Sequence, residues 1–193
     1  PAASSKHLID FVLPFYFATE DVFTEEIDFV RRTSEKYFQG NENLLTLRNV
    51  TNQEGVSALV EQYGVKAFLM GTRSTDPDGR WLNGVFWPSS KGWTPFMRIN
   101  PCLDWSYQDV WIFLRFFDVD YCELYNQGYT SIGTKSTSNP NPLLRKGSTA
   151  DVASLTEIEE EEEEEMMYHP AYMLADGSQE RAGRVAKQKV AKV

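Results

Sequence analysis

The sequence predicts an α/β protein whose mainly parallel sheet is flanked by helices. Three short β-prone apolar runs, at residues 11–18, 44–47 and 65–70, are separated by segments with helical periodicity. Strands that alternate with helices of this length are typical of βαβ units and of a parallel sheet. The length of 193 residues fits one domain with room for an appendage, and a hydrophobic fraction of 41% suffices for a buried core.

Two helices are predicted between these runs. The first presents one face made of residues spaced 4, 3, 4 and 3 positions apart, namely Phe23, Ile27, Val30, Ser34 and Tyr37. Gly40 and Asn41 are expected to end it. The second helix is expected over residues 54–63, capped by Asn52 and ended by Gly64.

The stretch after Met70 is predicted to carry the ligand site. Residues 71–79 have the composition of a loop and follow a presumed central strand. In open α/β sheets, ligands bind at that end of the strands. All five tryptophans lie between residues 81 and 129. Trp81, Trp87 and Trp93 lack helical spacing and are candidates to contact a flat ligand, with plain packing as the alternative for each.

A third helix is predicted further along this aromatic stretch. Its core-facing stripe is Tyr107, Val110, Trp111, Leu114 and Phe117. Ser106 and Asp109 form a capping box at its start.

Composition excludes several functional classes. A formal net charge of −9 disfavours a protein that wraps nucleic acid. No apolar run approaches the roughly 18 residues of a spanning helix, so no membrane association is expected. Two cysteines and two histidines cannot build a four-ligand site of Cys/His type, and so few cysteines favour a reducing compartment.

The acidity is concentrated in one segment. Residues 157–165 hold eight glutamates, and like-charge blocks of this kind stay solvated. We expect a disordered acidic insert over 147–166, without a magnesium site. Without these eight glutamates the net charge of −9 would become −1. The rest is therefore close to neutral, and its arginines fall in loops.

Four loop arginines, Arg73, Arg98, Arg181 and Arg184, suggest a phosphate site. Guanidinium groups match phosphate oxygens bidentately and keep their charge. Taken singly, each arginine could equally be a surface or ion-pair residue. The residues alone thus indicate an α/β domain for a phosphorylated aromatic ligand.

Longer motifs resemble a known family. The run 71–77 (GTRSTDP), residues 92–107 (GWTPFMRINPCLDWSY) and 121–133 (YCELYNQGYTSIG) resemble signatures of the eukaryotic FAD synthases, or FMN adenylyltransferases, of PAPS reductase-like fold. Asn139 to Pro142, Pro170 to Tyr172 and Glu180 to Arg184 follow in the family's order. The resemblance implies an adenine nucleotide α-hydrolase-like fold, ATP and FMN as substrates, and Mg²⁺ as cofactor.

The resemblance also implies roles for particular residues. It assigns FMN binding to Asp76, Trp93, Arg98 and Ser90, and ATP binding to Gly71 and Arg73. Arg181, Arg184 and Asp76 are implied to be catalytic, the two arginines by bringing positive charge to the phosphates. No metal ligand can be named.

Two features depart from the family pattern. A pyrophosphate-binding loop of the Ser-x-Gly-Gly-x-Asp type is missing, since the chain has no Gly-Gly pair. We therefore expect an N-terminally incomplete domain over 1–146, whose first strand and loop lie upstream, followed by the insert, a C-terminal motif segment at 167–184 and a basic tail at 185–193. In addition, Ser89-Ser90 stands where many members have Thr-Asp.

Three interpretations stay open on the sequence. The first is an FAD synthase, reduced in activity or inactive if the chain is only a piece of one. The second is a PAPS reductase or another ATP-pyrophosphatase relative, although Cys102 and Cys122 are internal and predicted to be inert. The third is a non-catalytic flavin- or nucleotide-binding remnant. A cytoplasmic location is expected, a mitochondrial one stays open, and the sequence leaves the oligomeric state undetermined.

Overall fold

The computed structural model describes residues 11–38, 40–147 and 167–185. The chain divides into two compact units, Pro1–Thr19 with Thr33–Val110, and Glu20–Arg32 with Trp111–Val193. The predicted acidic insert and basic tail lie almost wholly outside the described residues, and the domain boundaries stay a prediction. No helix among the described residues is long and apolar enough to cross a bilayer.

The first unit contains two small sheets and the helix between them. Strands β1 (Phe15–Ala18) and β2 (Leu45–Arg48) pair in parallel, with Phe15 opposite Leu45. Strands β3 (Ala67–Leu69) and β5 (Met97–Ile99) are also parallel, and β4 (Phe86–Pro88) joins β5 in antiparallel orientation. The α/β prediction with parallel strands is confirmed. Neither β4 nor β5 was predicted, and the expectation that Arg98 lies in a loop is wrong, because it lies on β5 between β3 and β4. Strand β1 is shorter than the predicted run.

Helix α2 (Asn52–Tyr63) packs both sheets into one core. Its buried residues Val56 and Leu59 contact Phe68 of β3, and the surrounding half-buried side chains come from β1, β2 and the segment after β4: Phe15, Phe17, Leu45, Leu47, Trp93 and Phe96. Gly55 of α2 is buried, and the close packing requires glycine there, because a Cβ would collide with the Phe17 ring. Strand β3 is therefore anchored in this core through Phe68, and its neighbour β5 pairs with it, so the core positions the loops that follow both strands.

The ends of α2 follow local rules, with one correction. The predicted cap, Asn52, is wrong, because Thr51 caps the helix. The Thr51 hydroxyl accepts from the Glu54 amide at 3.2 Å, and the Glu54 carboxylate accepts from the Thr51 amide at 2.8 Å. Gly64 ends the helix as predicted, in the left-handed conformation (φ 68°) that favours glycine.

The second unit is built mainly from turns around an aromatic core. Helix α1 (Thr24–Tyr37) belongs to it up to Arg32, and helix α3 (Tyr107–Phe116) belongs to it from Trp111. Five 3-10 turns follow, Glu123–Tyr125, Lys135–Thr137, Pro142–Leu144, Ala171–Met173 and Gly177–Gln179. Phe23, Cys122 and Leu124 form the buried centre, with Tyr129 edge-on to Phe23.

The predicted helix faces are correct only in part. The Ser106–Asp109 capping box is present, with Asp109 accepting from the Ser106 amide at 2.8 Å. Phe117, however, lies just beyond α3 and is 60% exposed, next to Asp118, which turns the chain with a positive φ of 49°. Ile27 and Tyr37 of α1 are exposed as well, so these two positions of the predicted face do not pack into the core.

Candidate active site

The loop that leaves β3 is closed by an ion pair between two predicted site residues. The Asp76 carboxylate accepts from the Arg73 backbone amide at 2.8 Å and from the Arg73 guanidinium at 3.1 Å. The pair is largely shielded, since the Arg73 side chain is 11% exposed and the Asp76 side chain 29%. The same loop packs tightly at Gly79, where glycine is needed because a Cβ would collide with the Arg73 carbonyl. Arg73 and Asp76, which were assigned to different substrates, thus hold each other.

Gly71 lies at the start of this loop beside free space. A Cβ added to Gly71 would have no heavy atom within 4 Å, and its φ lies outside the left-handed region. Backbone conformation therefore does not require glycine here. The open space fits the expectation that a ligand approaches the backbone at this point.

Arg98 on β5 is held by neutral acceptors. Its guanidinium donates to the Pro88 carbonyl at 2.5 Å and to the Ser90 hydroxyl at 3.2 Å. The strand register places Arg98 opposite Trp87, and its guanidinium lies 5.3 Å from the centre of the Phe96 ring. In the part of the chain that the structure describes, no carboxylate pairs with Arg98. The structure thus brings two predicted flavin residues, Ser90 and Arg98, into direct contact.

Trp93 is half-buried and belongs to the core of the first unit. Its ring meets Phe96 edge-on at 6.4 Å. The chain on either side is fastened to α2, since Gln53 donates to the Gly92 carbonyl at 2.6 Å and the Ser57 and Thr94 hydroxyls lie 2.7 Å apart. Packing and a ligand role are compatible for this residue, because part of its surface remains exposed. Trp81, by contrast, is 71% exposed and stacks with Arg80.

In the second unit, Arg181 and Arg184 converge on one hydroxyl group. An Nη1 atom of each guanidinium lies 3.4 Å from Ser131 Oγ. Neither arginine pairs with a carboxylate among the described residues. Burial, and then the nearby charge of Arg181, lower the pKa of Arg184 from its usual range. Arg184 Nε is buried and has no hydrogen-bond partner among the described residues. Within this part of the chain, no carboxylate neutralises the two positive charges of the cluster.

A network of buried polar groups fixes the turn that carries these arginines. Asn141 is fully buried and donates to the Gln179 carbonyl and to the Thr130 hydroxyl, both at 2.9 Å. The Thr130 hydroxyl in turn donates to the Glu180 carbonyl at 2.6 Å. The Asn139 amide donates to the Gly183 carbonyl at 2.9 Å. Hydrogen bonds to the carbonyls of Gln179, Glu180 and Gly183 thus fix the turn that carries the arginines.

Sequence reasoning recognised the motifs but not the residues that organise them. Ser131, Thr130 and Asn141 lie in recognised runs, yet no role was assigned to them. Asn100, which follows β5, is fully buried, and its Oδ1 has no donor among the described residues. The signal was present, since small polar residues are embedded in otherwise apolar motifs, but their partners are about 40 to 50 residues away.

Metal and thiol chemistry have little support in the described residues. They contain no group of three His, Cys, Asp or Glu side chains placed to hold an ion. Both cysteines are free thiols. Burial raises the pKa of the Cys122 thiol, which disfavours the reactive thiolate and agrees with the expectation that it is inert.

Comparison with known proteins places this arrangement in a family. The model described as "Phosphoadenosine phosphosulfate reductase domain" matches residues 46–140. A probable FAD synthase of Schizosaccharomyces pombe is 37% identical over 174 residues, covering 89% of this chain and 57% of the relative. The flavin adenine dinucleotide synthase of Saccharomyces cerevisiae is 30% identical over 202 residues, covering 86% of this chain and 64% of the relative.

A solved structure supports the same assignment. Candida glabrata FMN adenylyltransferase in complex with FMN and the ATP analogue AMPCPP superposes with a TM-score of 0.72 at 26% identity, over 88% of this chain and 68% of that one. The fold and its loops define an α/β domain of the PAPS reductase-like class. Within that class, the chain is similar to eukaryotic FAD synthases over most of its length, as its motifs predicted. It spans between about half and two thirds of the length of these two curated relatives.

Proposed function

We propose that this protein makes FAD by transferring AMP from ATP to FMN. An oxygen of the FMN 5′-phosphate attacks the α-phosphorus of ATP, the bond from that phosphorus to the β-phosphate oxygen breaks, and pyrophosphate leaves. The observation that carries the proposal is the pair Arg181 and Arg184, whose positive charges meet at a neutral hydroxyl. Charge develops on phosphate oxygens in this displacement, and fixed cations near those oxygens stabilise the transition state.

The first unit supplies the proposed contacts to the flavin and to the nucleotide. Arg98, aligned by Pro88 and Ser90, presents guanidinium donors to the polar edge of the flavin ring. Trp93 offers an aromatic surface beside it. Gly71 leaves room for the nucleotide, and the Arg73–Asp76 pair shapes the loop that receives it. These assignments rest on the resemblance together with the contacts described above.

Mg²⁺ enters this proposal as part of a substrate. The described residues do not form a cage for the ion, and Mg²⁺ commonly binds through substrate phosphates and retained water molecules. We therefore propose that the nucleotide binds as its magnesium complex. No residue is assigned as a metal ligand.

The proposed setting is the cytoplasm, with small molecules as the partners. Two free cysteines suit a reducing compartment. The sulfonucleotide reductase alternative needs a reactive cysteine near the C-terminus. The last cysteine of this chain, Cys122, is 4% exposed and has a raised pKa.

The test is to incubate the protein with FMN, ATP and Mg²⁺ and to separate FAD by chromatography. We expect FAD formation that falls at least tenfold in Arg181→Ala. Arg145→Ala is the matched control, because Arg145 is exposed in the same unit and, among the described residues, only its backbone is paired, with Tyr168 and with the Pro142 carbonyl. FMN binding without FAD would instead support a non-catalytic flavin-binding protein. Absence of FMN binding would contradict the flavin assignment altogether.

A further inference from the structure

We propose that Ser131 is a direct phosphate ligand, whose hydroxyl joins Arg181 and Arg184 in one anion site. The inference rests on the proposed function, because it adds a third group to the site that would bind the phosphates. Nothing in the motif comparison distinguishes Ser131 from its neighbours. The geometry does, since its oxygen is the point at which the two guanidiniums meet.

The hydrogen bonding of Ser131 leaves its proton available. A serine hydroxyl has two acceptor lone pairs and one donor. Ser131 Oγ accepts from both arginines, and among the described residues its O–H donates to no group. An oxygen of a phosphate placed against the two guanidiniums would supply the missing acceptor.

The arginine contacts are those of an incompletely satisfied site. Both N···O distances are 3.4 Å, longer than the 2.7 to 3.2 Å of ordinary N–H···O hydrogen bonds. Arg184 Nε is buried and has no acceptor in the part of the chain that the structure describes, which adds a further unsatisfied donor. Charge-assisted bonds to phosphate are shorter and stronger than bonds to a hydroxyl. A phosphate would therefore displace the two guanidinium contacts from Ser131 and leave the hydroxyl free to donate.

The backbone around Ser131 is rigid enough to hold such a ligand. Its neighbour Thr130 is 5% exposed and bonded to Asn141 and to the Glu180 carbonyl. Gly133 lies directly against Arg184, so that a Cβ there would stand 2.6 Å from the guanidinium carbon. The Gly133 amide donates to Ser138 Oγ at 2.8 Å. These contacts set the separation between the hydroxyl and the guanidiniums before any ligand binds.

The shared chemistry of the ligand is a phosphate anion, which FMN, ATP and pyrophosphate all carry. Titration calorimetry with each of the three as a separate probe identifies the source. We expect Ser131→Ala to weaken binding of at least one probe about tenfold, because a hydrogen bond to a charged group is lost. Ser131→Asp should weaken it more than a hundredfold, because the new carboxylate would pair with both arginines. Ser131→Thr, which keeps the hydroxyl, should stay within about threefold of the wild type.

The control variant is Ser136→Ala. Ser136 lies in the same unit, but its hydroxyl donates to Asp21 instead of contacting an arginine. Melting temperatures of all variants show whether each one folds. Unchanged affinity for all three probes in folded Ser131→Ala overturns the proposal, as does unchanged affinity in Ser131→Asp. No binding of any probe to the wild-type protein also overturns it.

The outcome is separable from that of the proposed function. If the wild-type protein makes no FAD but Ser131→Ala lowers its affinity for pyrophosphate, the phosphate site is supported and the synthase activity is not. If the wild-type protein makes FAD and Ser131→Ala binds all three probes as tightly as the wild type, the phosphate-ligand role is refuted while the synthase activity stands.

Discussion

Removing the Asp76 carboxylate should damage both the loop after β3 and the binding of both substrates. In Asp76→Ala, the Arg73 guanidinium loses an acceptor at 3.1 Å and the Arg73 amide loses one at 2.8 Å. The Arg73 side chain is only 11% exposed, so water can replace the carboxylate only in part. The resemblance assigns Asp76 to the flavin and Arg73 to the nucleotide. Because the two residues hold each other, we expect Asp76→Ala to weaken FMN and ATP together.

The magnitude follows from the kind of contact that is lost. Hydrogen bonds to charged groups contribute about 1.5 to 3 kcal/mol, and breaking a fully buried ion pair costs about 3 to 5 kcal/mol. Asp76 is 29% exposed, which favours the lower range, so we expect a loss of about 2 kcal/mol in the free energy of unfolding. For a protein of this size, that loss corresponds to a fall in Tm of roughly 4 to 8 °C.

A double-mutant cycle tests the coupling. The free energies of unfolding of wild type, Asp76→Ala, Arg73→Ala and the double variant are measured by urea denaturation, and FMN and ATP affinities are measured on the same four proteins. We expect a coupling energy of about 1 to 2 kcal/mol, and affinity losses in the double variant that are smaller than the sum of the single ones. Strict additivity in both measurements would refute the reasoning, because Arg73 and Asp76 would then act independently.

Three further outcomes are expected. Gly71→Ala should lower ATP affinity with little change in Tm. Gly84→Ala is the control in the same unit and should change neither, because an added Cβ would meet only the Phe86 carbonyl oxygen, at 3.9 Å. An equal effect of the two would exclude close approach at Gly71. Hydrogen bonds from Thr51 lower the pKa of Glu54 below its ordinary value of 4.5, so the stabilisation is complete above that pH and is lost as the pH falls through the lowered pKa. Thermal melts at several pH values should therefore show Glu54→Gln less stable than wild type at pH 7, with the gap narrowing as the pH falls below 4.5 and through the lowered pKa of Glu54. With an aromatic disulfide reagent, half-buried Cys102 should react well before Cys122, and equally fast labelling would contradict the burial of Cys122.

The elements predicted correctly are those whose signals are local. The end of α2 at Gly64 and the start of α3 at Ser106 depend on hydrogen bonds within a few residues, and such bonds are visible in the sequence as capping patterns. The parallel pairing of β1 with β2 follows from the strand–helix–strand order. The cap of α2 was misplaced by one residue because both Thr51 and Asn52 are good capping types.

What the sequence could not predict depends on partners that are distant in the chain. Arg181 reaches Ser131 across 50 residues, and no periodicity or spacing links the two. The antiparallel pairing of β4 with β5 follows an irregular aromatic stretch in which the expected strand signals are weak. Ser90 was noted only as a departure from the family, and the contact with Arg98 gives it a defined place.

The charges of the candidate site depend on local partners more than on the net charge of −9. Exposed charges are screened over about 8 Å at physiological salt, so a site responds mainly to the charges within that distance. The arginines differ in their immediate neighbours. Arg73 is paired with a carboxylate, whereas Arg98, Arg181 and Arg184 are bonded to carbonyl or hydroxyl oxygens. Arg98 in the first unit, and Arg181 and Arg184 in the second, have no carboxylate partner among the described residues that an incoming ligand would have to displace. An acidic protein can in this way carry loops and turns that attract anions.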